Sequence, residues 1–180
     1  MFKLITVLSL ILSTTAFKFG GLKPKTEFKY VGDTKPLDYF DPLQITSNSP
    51  SDLIKFVREG ELQNGRIAMF AFVTLAGLEL ATGKPGVTFL SSLDGTSQLP
   101  FWFSFGTFEY ARLNAGWENP FAGGSAFKLE KDYQPGNVFN VPEDKYNEKL
   151  MNIELNNGRL AMIGTLGFVV QELVTKSMIF

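Results

Sequence analysis

The chain has 180 residues, one domain's worth, and its net charge of −1 offers no basic field for nucleic acid. It holds 18 Phe against 5 Tyr and 2 Trp, is 44% hydrophobic, and contains neither Cys nor His. Those absences exclude disulfide frameworks, thiol or Ser-His-Asp catalysis, zinc clusters and imidazole proton transfer; any metal is held by carboxylate, amide or backbone oxygen, which suits Mg²⁺.

In chain order, residues 1–16 read as a signal peptide. Lys3 supplies the basic start, Leu4 to Leu12 the apolar run, and Thr14 and Ala16 the small residues before Phe17. The run is too short to cross a bilayer. Residues 17–35 begin FKFGGLKPKT, with three lysines and no acid before Glu27, and form a transit-like N-terminal extension to a domain over 36–180. Gly20, Gly21, Pro24, Pro36, Pro42 and Pro50 keep 17–50 extended. A helix is expected over about 52–82, capped by Ser51 or Ser49 and stopped by Gly83 and Pro85. A second should cover about 99–113, opened by Pro100 and closed near Asn114 to Gly116. After a Gly/Pro-rich segment to Pro142, a third is expected over about 143–176.

Residues 67–78, 99–108 and 160–170 carry no charge. Setting aside Lys3, Arg66 and Arg159, 14 basic residues remain. If all three helices cross a membrane, twelve fall on the side of the N-terminal segment, and only Lys84 and Lys176 on the other. That asymmetry is the positive-inside signature. The expected fold class is therefore an all-α membrane protein with three transmembrane helices, the first and third long.

The first and third helices share a motif. ELQNGRIAMF at 61–70 returns 93 residues later as ELNNGRLAMI at 154–163, identical at seven of ten positions. Glu61 and Asn64 share a helical face, while Arg66 points about 140° away and cannot meet Glu61 within its own helix. Gly65 and Ala68, like Gly158 and Ala161, let two helices cross closely. A pseudo-two-fold crossing would pair Glu61 with Arg159 and Glu154 with Arg66, converting four prohibitive membrane charges into two pairs. The carboxylates keep free lone pairs, and Asn64 and Asn157 add amide oxygens. Together they could supply axial ligands to a large planar Mg²⁺ complex.

The repeated E-x-x-N-G-R-x-A-M, on the first and third of three transmembrane helices, resembles the chlorophyll a/b and a/c light-harvesting proteins over about residues 36–176. The resemblance implies two long crossed helices locked by Arg66 and Arg159, with chlorophyll Mg held by Glu61, Asn64, Glu154 and Asn157. Gln171 and Glu109 match further ligands, and Gln98 is another candidate. Many relatives carry His where Asn64 stands. LDYFDPLQI at 37–45 resembles the segment that holds a carotenoid end group, and YQPGNVFNV at 133–141 looks like a degraded copy, with Asn140 for Asp and Val141 for Pro. With Phe180 as its last residue, the chain is expected to lack the final amphipathic helix of the green-plant forms. Glu79 and Glu172 read as solvated end charges or, alternatively, as pigment ligands or pH sensors.

The Ala16-Phe17 junction resembles the two-part presequences of plastids of secondary origin. That implies chlorophyll a with chlorophyll c rather than b, alongside fucoxanthin or another xanthophyll. The implied setting is a plastid thylakoid membrane with the N-terminus stromal. Implied partners are a photosystem I or II core, neighbouring antenna subunits and thylakoid lipids. The expected function is light harvesting without enzymatic chemistry. The alternatives are a photoprotective member of the family, and a small membrane transporter or assembly factor with buried Glu–Arg pairs.

Overall fold

A computed structural model describes residues 31–35, 38–45, 50–124, 128–142 and 147–179. The signal peptide, most of the 17–35 extension, Ser49 and residues 143–146 lie outside these. The described chain is all-helical: α1 Ser51–Thr82, α2 Gly86–Ser92, α3 Gly95–Gly116, a 3₁₀ turn Pro120–Ala122 and α4 Glu148–Thr175.

The helix ends differ from the sequence reading for local reasons. Pro50, which has no side-chain acceptor, stands at the cap of α1, so Ser51 is its first helical residue and not its cap. Gly83, at φ 63°, closes α1 by donating its N–H to the Glu79 carbonyl. The unexpected α2 forms because the chain turns straight back onto α1: a Cβ on Gly86 would stand 2.7 Å from the Leu75 carbonyl oxygen. α3 starts at 95, not 99, because Asp94 caps it, accepting from the Ser97 N–H and from the hydroxyls of Ser97 and Thr96. Pro100 sits inside the helix instead of opening it. α4 starts at 148, not 143, where the Asn147 side chain accepts the Lys149 N–H.

The Ser97 and Thr96 bonds hold the Asp94 carboxyl down at about 2. A folded value below the free one means the charged cap stabilises above about pH 4 and is lost only as pH falls toward 2. Amide exchange at 96–98, corrected for intrinsic rate, should therefore be flat from pH 7 to 5, and Asp94→Ala should accelerate it throughout.

α1 packs along α4, and α2 folds against α1. The interior mixes charged and polar side chains with apolar ones such as Leu62, Ala68, Leu155 and Phe168. Arg58, Glu59, Gln63, Glu79 and Glu172 are buried, while Phe70, Val73, Leu80, Phe103, Leu160 and Ile163 stand out from the helix surfaces. Such apolar cover marks contact with something apolar. Among the described residues, α1, with 32 residues at about 1.5 Å each, is the one helix that by length and composition is long and apolar enough to cross a membrane.

Candidate functional site

The two copies of the motif meet at their glycines. A Cβ on Gly65 would lie 3.0 Å from the Gly158 Cα, and one on Gly158 the same 3.0 Å from the Gly65 Cα. No other residue permits this approach, and it carries the flanking charges across. Arg159 Nε donates to Glu61 Oε1 at 2.8 Å, and Arg66 Nε to Glu154 Oε1 at 2.7 Å. One turn on, the Thr165 hydroxyl donates to the Ala68 carbonyl, and Phe72 meets Phe168 edge-on. The symmetry is imperfect, because Arg58 also reaches Glu61 Oε2 at 2.7 Å. Glu61 thus faces two guanidiniums, and Glu154 one.

The expected oxygen ligands fall into two groups. Asn64, Asn157 and Gln171 are exposed on helix faces, and among the described residues their side-chain amides make no hydrogen bond. Around them stand apolar side chains, Ile67 beside Asn64 and Ile153 and Leu160 beside Asn157. Glu109 is engaged instead: Oε1 accepts from Gln63 Nε2 at 2.7 Å and Oε2 from Arg112. Gln98 is engaged as well, donating to the Leu93 carbonyl and accepting from Trp102 Nε1.

Do these residues fit a chlorophyll? An axial ligand needs a lone pair and a flat approach for the ring. Each oxygen keeps at least one lone pair. A helical side chain covers the turn N-terminal to it. In that turn stand Gly60 for Asn64, Gly106 for Glu109 and Gly167 for Gln171, and a Cβ on any of these would meet nothing within 4 Å. A mid-helix Gly costs about 1 kcal/mol against Ala, and no contact within the protein requires these three. Gly77, equally open, has no oxygen side chain a turn later. The donor set and its open surfaces fit the pigment.

Each long helix is preceded by a loop that docks on the other. Gly32 lies against Leu155 and Arg58, with Arg159 donating to its carbonyl at 3.0 Å. Gly136, at φ 85°, lies against Leu62 and Arg66. The two loops repeat one geometry. Asp41 Oδ1 accepts the Ile45 N–H at 2.9 Å, with Gln44 at φ 53° between them. Asn137 Oδ1 accepts the Val141 N–H at 2.7 Å, with Asn140 at φ 49°. The counterpart of Asp41 is therefore Asn137, not Asn140, and Val141 answers to Ile45, not to Pro42. The second copy keeps its fold because an amide oxygen makes the same bond as a carboxylate. Beside the first loop runs a groove of about 540 Å³ between Tyr39, Phe40, Leu43, Val57 and Asn156.

Three buried acids are not evident from the sequence. Glu79 and Glu172, expected to be solvated, are 2% and 3% exposed. Glu79 accepts the Ile179 N–H, and Glu172 the Val87 N–H. Each carboxylate holds the segment that follows the opposite helix. Glu59, 2% exposed, accepts from Gly136 N–H, the Tyr133 hydroxyl and Arg112. Burial, and then the Glu59 carboxylate beside it, push the Tyr133 hydroxyl well up, so it stays a donor. The one available signal was a second acid two residues before Glu61, which its neighbour's motif overshadowed.

Residues 24–173 match the family described as chlorophyll A-B binding protein. The light-harvesting complex stress-related protein 1 of Chlamydomonas reinhardtii is 29% identical over 93% of this chain and 75% of its own length. Stress-related protein 3.2 of the same alga is 31% identical over 83% of this chain, which spans 64% of that protein. A fucoxanthin-chlorophyll a-c binding protein of Isochrysis galbana is 32% identical over 83% of this chain and 79% of its own length. The chain belongs to the chlorophyll A-B binding protein family. All three of these relatives carry the description chloroplastic.

Proposed function

We propose that this chain is an antenna subunit of the plastid thylakoid membrane, with α1, α3 and α4 spanning it, α1 and α4 crossed, and the N-terminus stromal. The observation that carries the reading is the reciprocal Gly65–Gly158 contact with its two Glu–Arg pairs, flanked by unpartnered amides on apolar faces. Charge distribution supports the orientation. Arg58 and Arg112 are internal ion-pair partners, yet without them the basic residues still divide ten to two.

Glu61, Asn64, Glu109, Glu154, Asn157 and Gln171 hold chlorophyll Mg in this reading, with Gln98 offering the lone pair that Trp102 leaves free. Glu154 divides its oxygens between Arg66, which neutralises it, and a pigment; Glu61, whose two oxygens accept from Arg159 and Arg58, offers a remaining lone pair; the three amides are neutral ligands. Bound chlorophyll absorbs light and passes excitation toward a photosystem core and neighbouring antenna subunits. The chain fixes spacing and orientation by setting its ligands on two rigid helices locked at one crossing. The loops ending at Ile45 and Val141 receive the end groups of xanthophylls, fucoxanthin among them, and the outward Phe and Leu side chains meet lipid. Chlorophyll a with chlorophyll c is the expected pair.

Purified protein should be coloured, and solvent extraction should release chlorophyll and xanthophyll. A colourless preparation would favour the transporter or assembly-factor reading. The stress-related relatives favour a second reading, dissipation of excitation instead of delivery. Fluorescence lifetime separates the two: a harvester keeps a long lifetime between pH 7.5 and 5, and a dissipator shortens it in acid.

The open glycines give a further expectation. Gly167→Ala should raise the helicity of the pigment-free chain by about 1 kcal/mol. Gly167→Leu should instead lose the chlorophyll on Gln171, because its side chain occupies the ring's approach. Retention of that pigment in Gly167→Leu would remove Gly167 from the site.

A further inference from the structure

α1 and α4 are near copies, yet among the described residues the side-chain bonds that tie α3 to a long helix all reach α1. Gln63 donates to Glu109, and Glu59 accepts from Arg112. Among the described residues, no side-chain hydrogen bond or ion pair joins α3 to α4. In the repeat register the α4 counterparts of Glu59 and Gln63 are Asn152 and Asn156. Asn152 is neutral: its amide oxygen can accept a hydrogen bond from a guanidinium but cannot form an ion pair with one. What distinguishes the two faces for a third helix is therefore the charge at position 59.

Glu59 is also cut off from any direct role with a pigment. It is 2% exposed, and its oxygens are taken by Arg112, the Tyr133 hydroxyl and the Gly136 N–H. Arg112 is held on three sides: by Glu59 at 3.3 Å, by Glu109 at 2.9 Å, and by the Trp117 ring, 5.6 Å from the guanidinium carbon. Two carboxylates thus share one guanidinium. We propose that Glu59 is the positioning residue of the α3 site, acting through Arg112 to dock α3 on α1 and to keep Glu109 electron-rich. The proposal rests on the reading that Glu109 ligates chlorophyll Mg.

The charge argument is direct. With Glu59 in place, Arg112 divides its hydrogen bonds and charge, and the trio retains one net negative charge. The Glu109 carboxylate is then a stronger donor to an electrophile than one neutralised by its own Arg. With Glu59 neutral, Arg112 belongs to Glu109 alone, three residues away on the same helix, and nothing charged ties α3 to α1. Gln63 remains as the single bond across that gap, and its Oε1 is buried without a partner.

The test uses the full chain reconstituted with extracted plastid pigments. The chain has no Cys, so spin labels on cysteines introduced at Val57 and Tyr110 report the α1–α3 distance alone. Glu59→Gln should broaden that distance distribution and lose the absorption band that Glu109→Leu loses. Tyr133→Phe, which touches the same carboxylate from the loop, should change neither. An unchanged distance and an intact band in Glu59→Gln, with the band lost in Glu109→Leu, would overturn the proposal. If Glu109→Leu keeps all its chlorophyll, the ligand assignment fails by itself, and the distance measurement still decides the docking role. Should Glu59→Gln not assemble, Arg112→Leu cuts the same tie from the α3 side. It should release α3 equally, and a native distance there would overturn the proposal too.

Discussion

Gly158→Leu should abolish assembly, with Gly158→Ala intermediate and Gly77→Leu close to normal. At position 158 the first added carbon already lies 3.0 Å from the Gly65 Cα. Alanine demands a shift of a few tenths of an ångström between two helix backbones. Leucine adds three more carbons where no flexible side chain is available to move. Overpacking alone typically costs about 1–3 kcal/mol. Here it also pulls apart both Glu–Arg pairs and the Thr165–Ala68 bond, which depend on the same approach. Gly77 lies in the same helix as Gly65 but has nothing within 4 Å, so it controls for side-chain size. The readout is the yield of pigmented monomer after reconstitution. Equal yields from Gly158→Leu and Gly77→Leu would mean that the glycine contact does not hold the helices together.

Arg66→Leu should damage assembly more than Arg159→Leu does, although the two residues are repeat partners. The chain alone leaves these side chains partly exposed; with pigment and lipid covering them, as proposed, removing one member of a pair leaves an uncompensated charge, a penalty of up to about 3–5 kcal/mol. Arg159→Leu does not leave Glu61 bare, because Arg58 remains 2.7 Å away. Among the described residues, Arg66→Leu leaves Glu154 without a paired cation. The double change Arg66→Leu with Glu154→Gln should recover much of the loss, since it removes the stranded charge as well. Thermal stability of the four proteins in this cycle, with the Arg159 variants alongside, measures the difference. A double variant equal to the sum of its singles would contradict cross-pairing at Glu154.

Much of this was legible in the sequence, because a motif that repeats with its spacing intact encodes a symmetric contact. Gly65, Gly158 and the cross-paired charges follow from asking where Glu and Arg can go when their own helix holds them apart. The caps were less legible. Asp94 and Asn147 set the starts of α3 and α4 by side-chain acceptance, whereas at α1 the cap falls on Pro50, which has no side-chain acceptor. The loop register was misread because identity was sought letter by letter. Asn137 preserves the Asp41 bond with different atoms, and Asn140 and Gln44 share a left-handed backbone that no letter records. Glu59, Glu79 and Glu172 were illegible for a deeper reason. Apart from Arg112, which reaches Glu59 from α3, their partners are backbone N–H groups and a loop hydroxyl, which any sequence offers and only the tertiary fold brings near.

The most direct test of pigment ligation counts chlorophyll per polypeptide after reconstitution, in the native chain and in Asn64→Leu, Asn157→Leu and Gln171→Leu, singly and together. Each change removes a neutral oxygen from an exposed position and leaves both Glu–Arg pairs in place. The expected result is one chlorophyll lost per substitution, cumulative in the triple variant, with helicity retained. An unchanged chlorophyll count in the triple variant would contradict the assignment of these oxygens as the pigment ligands.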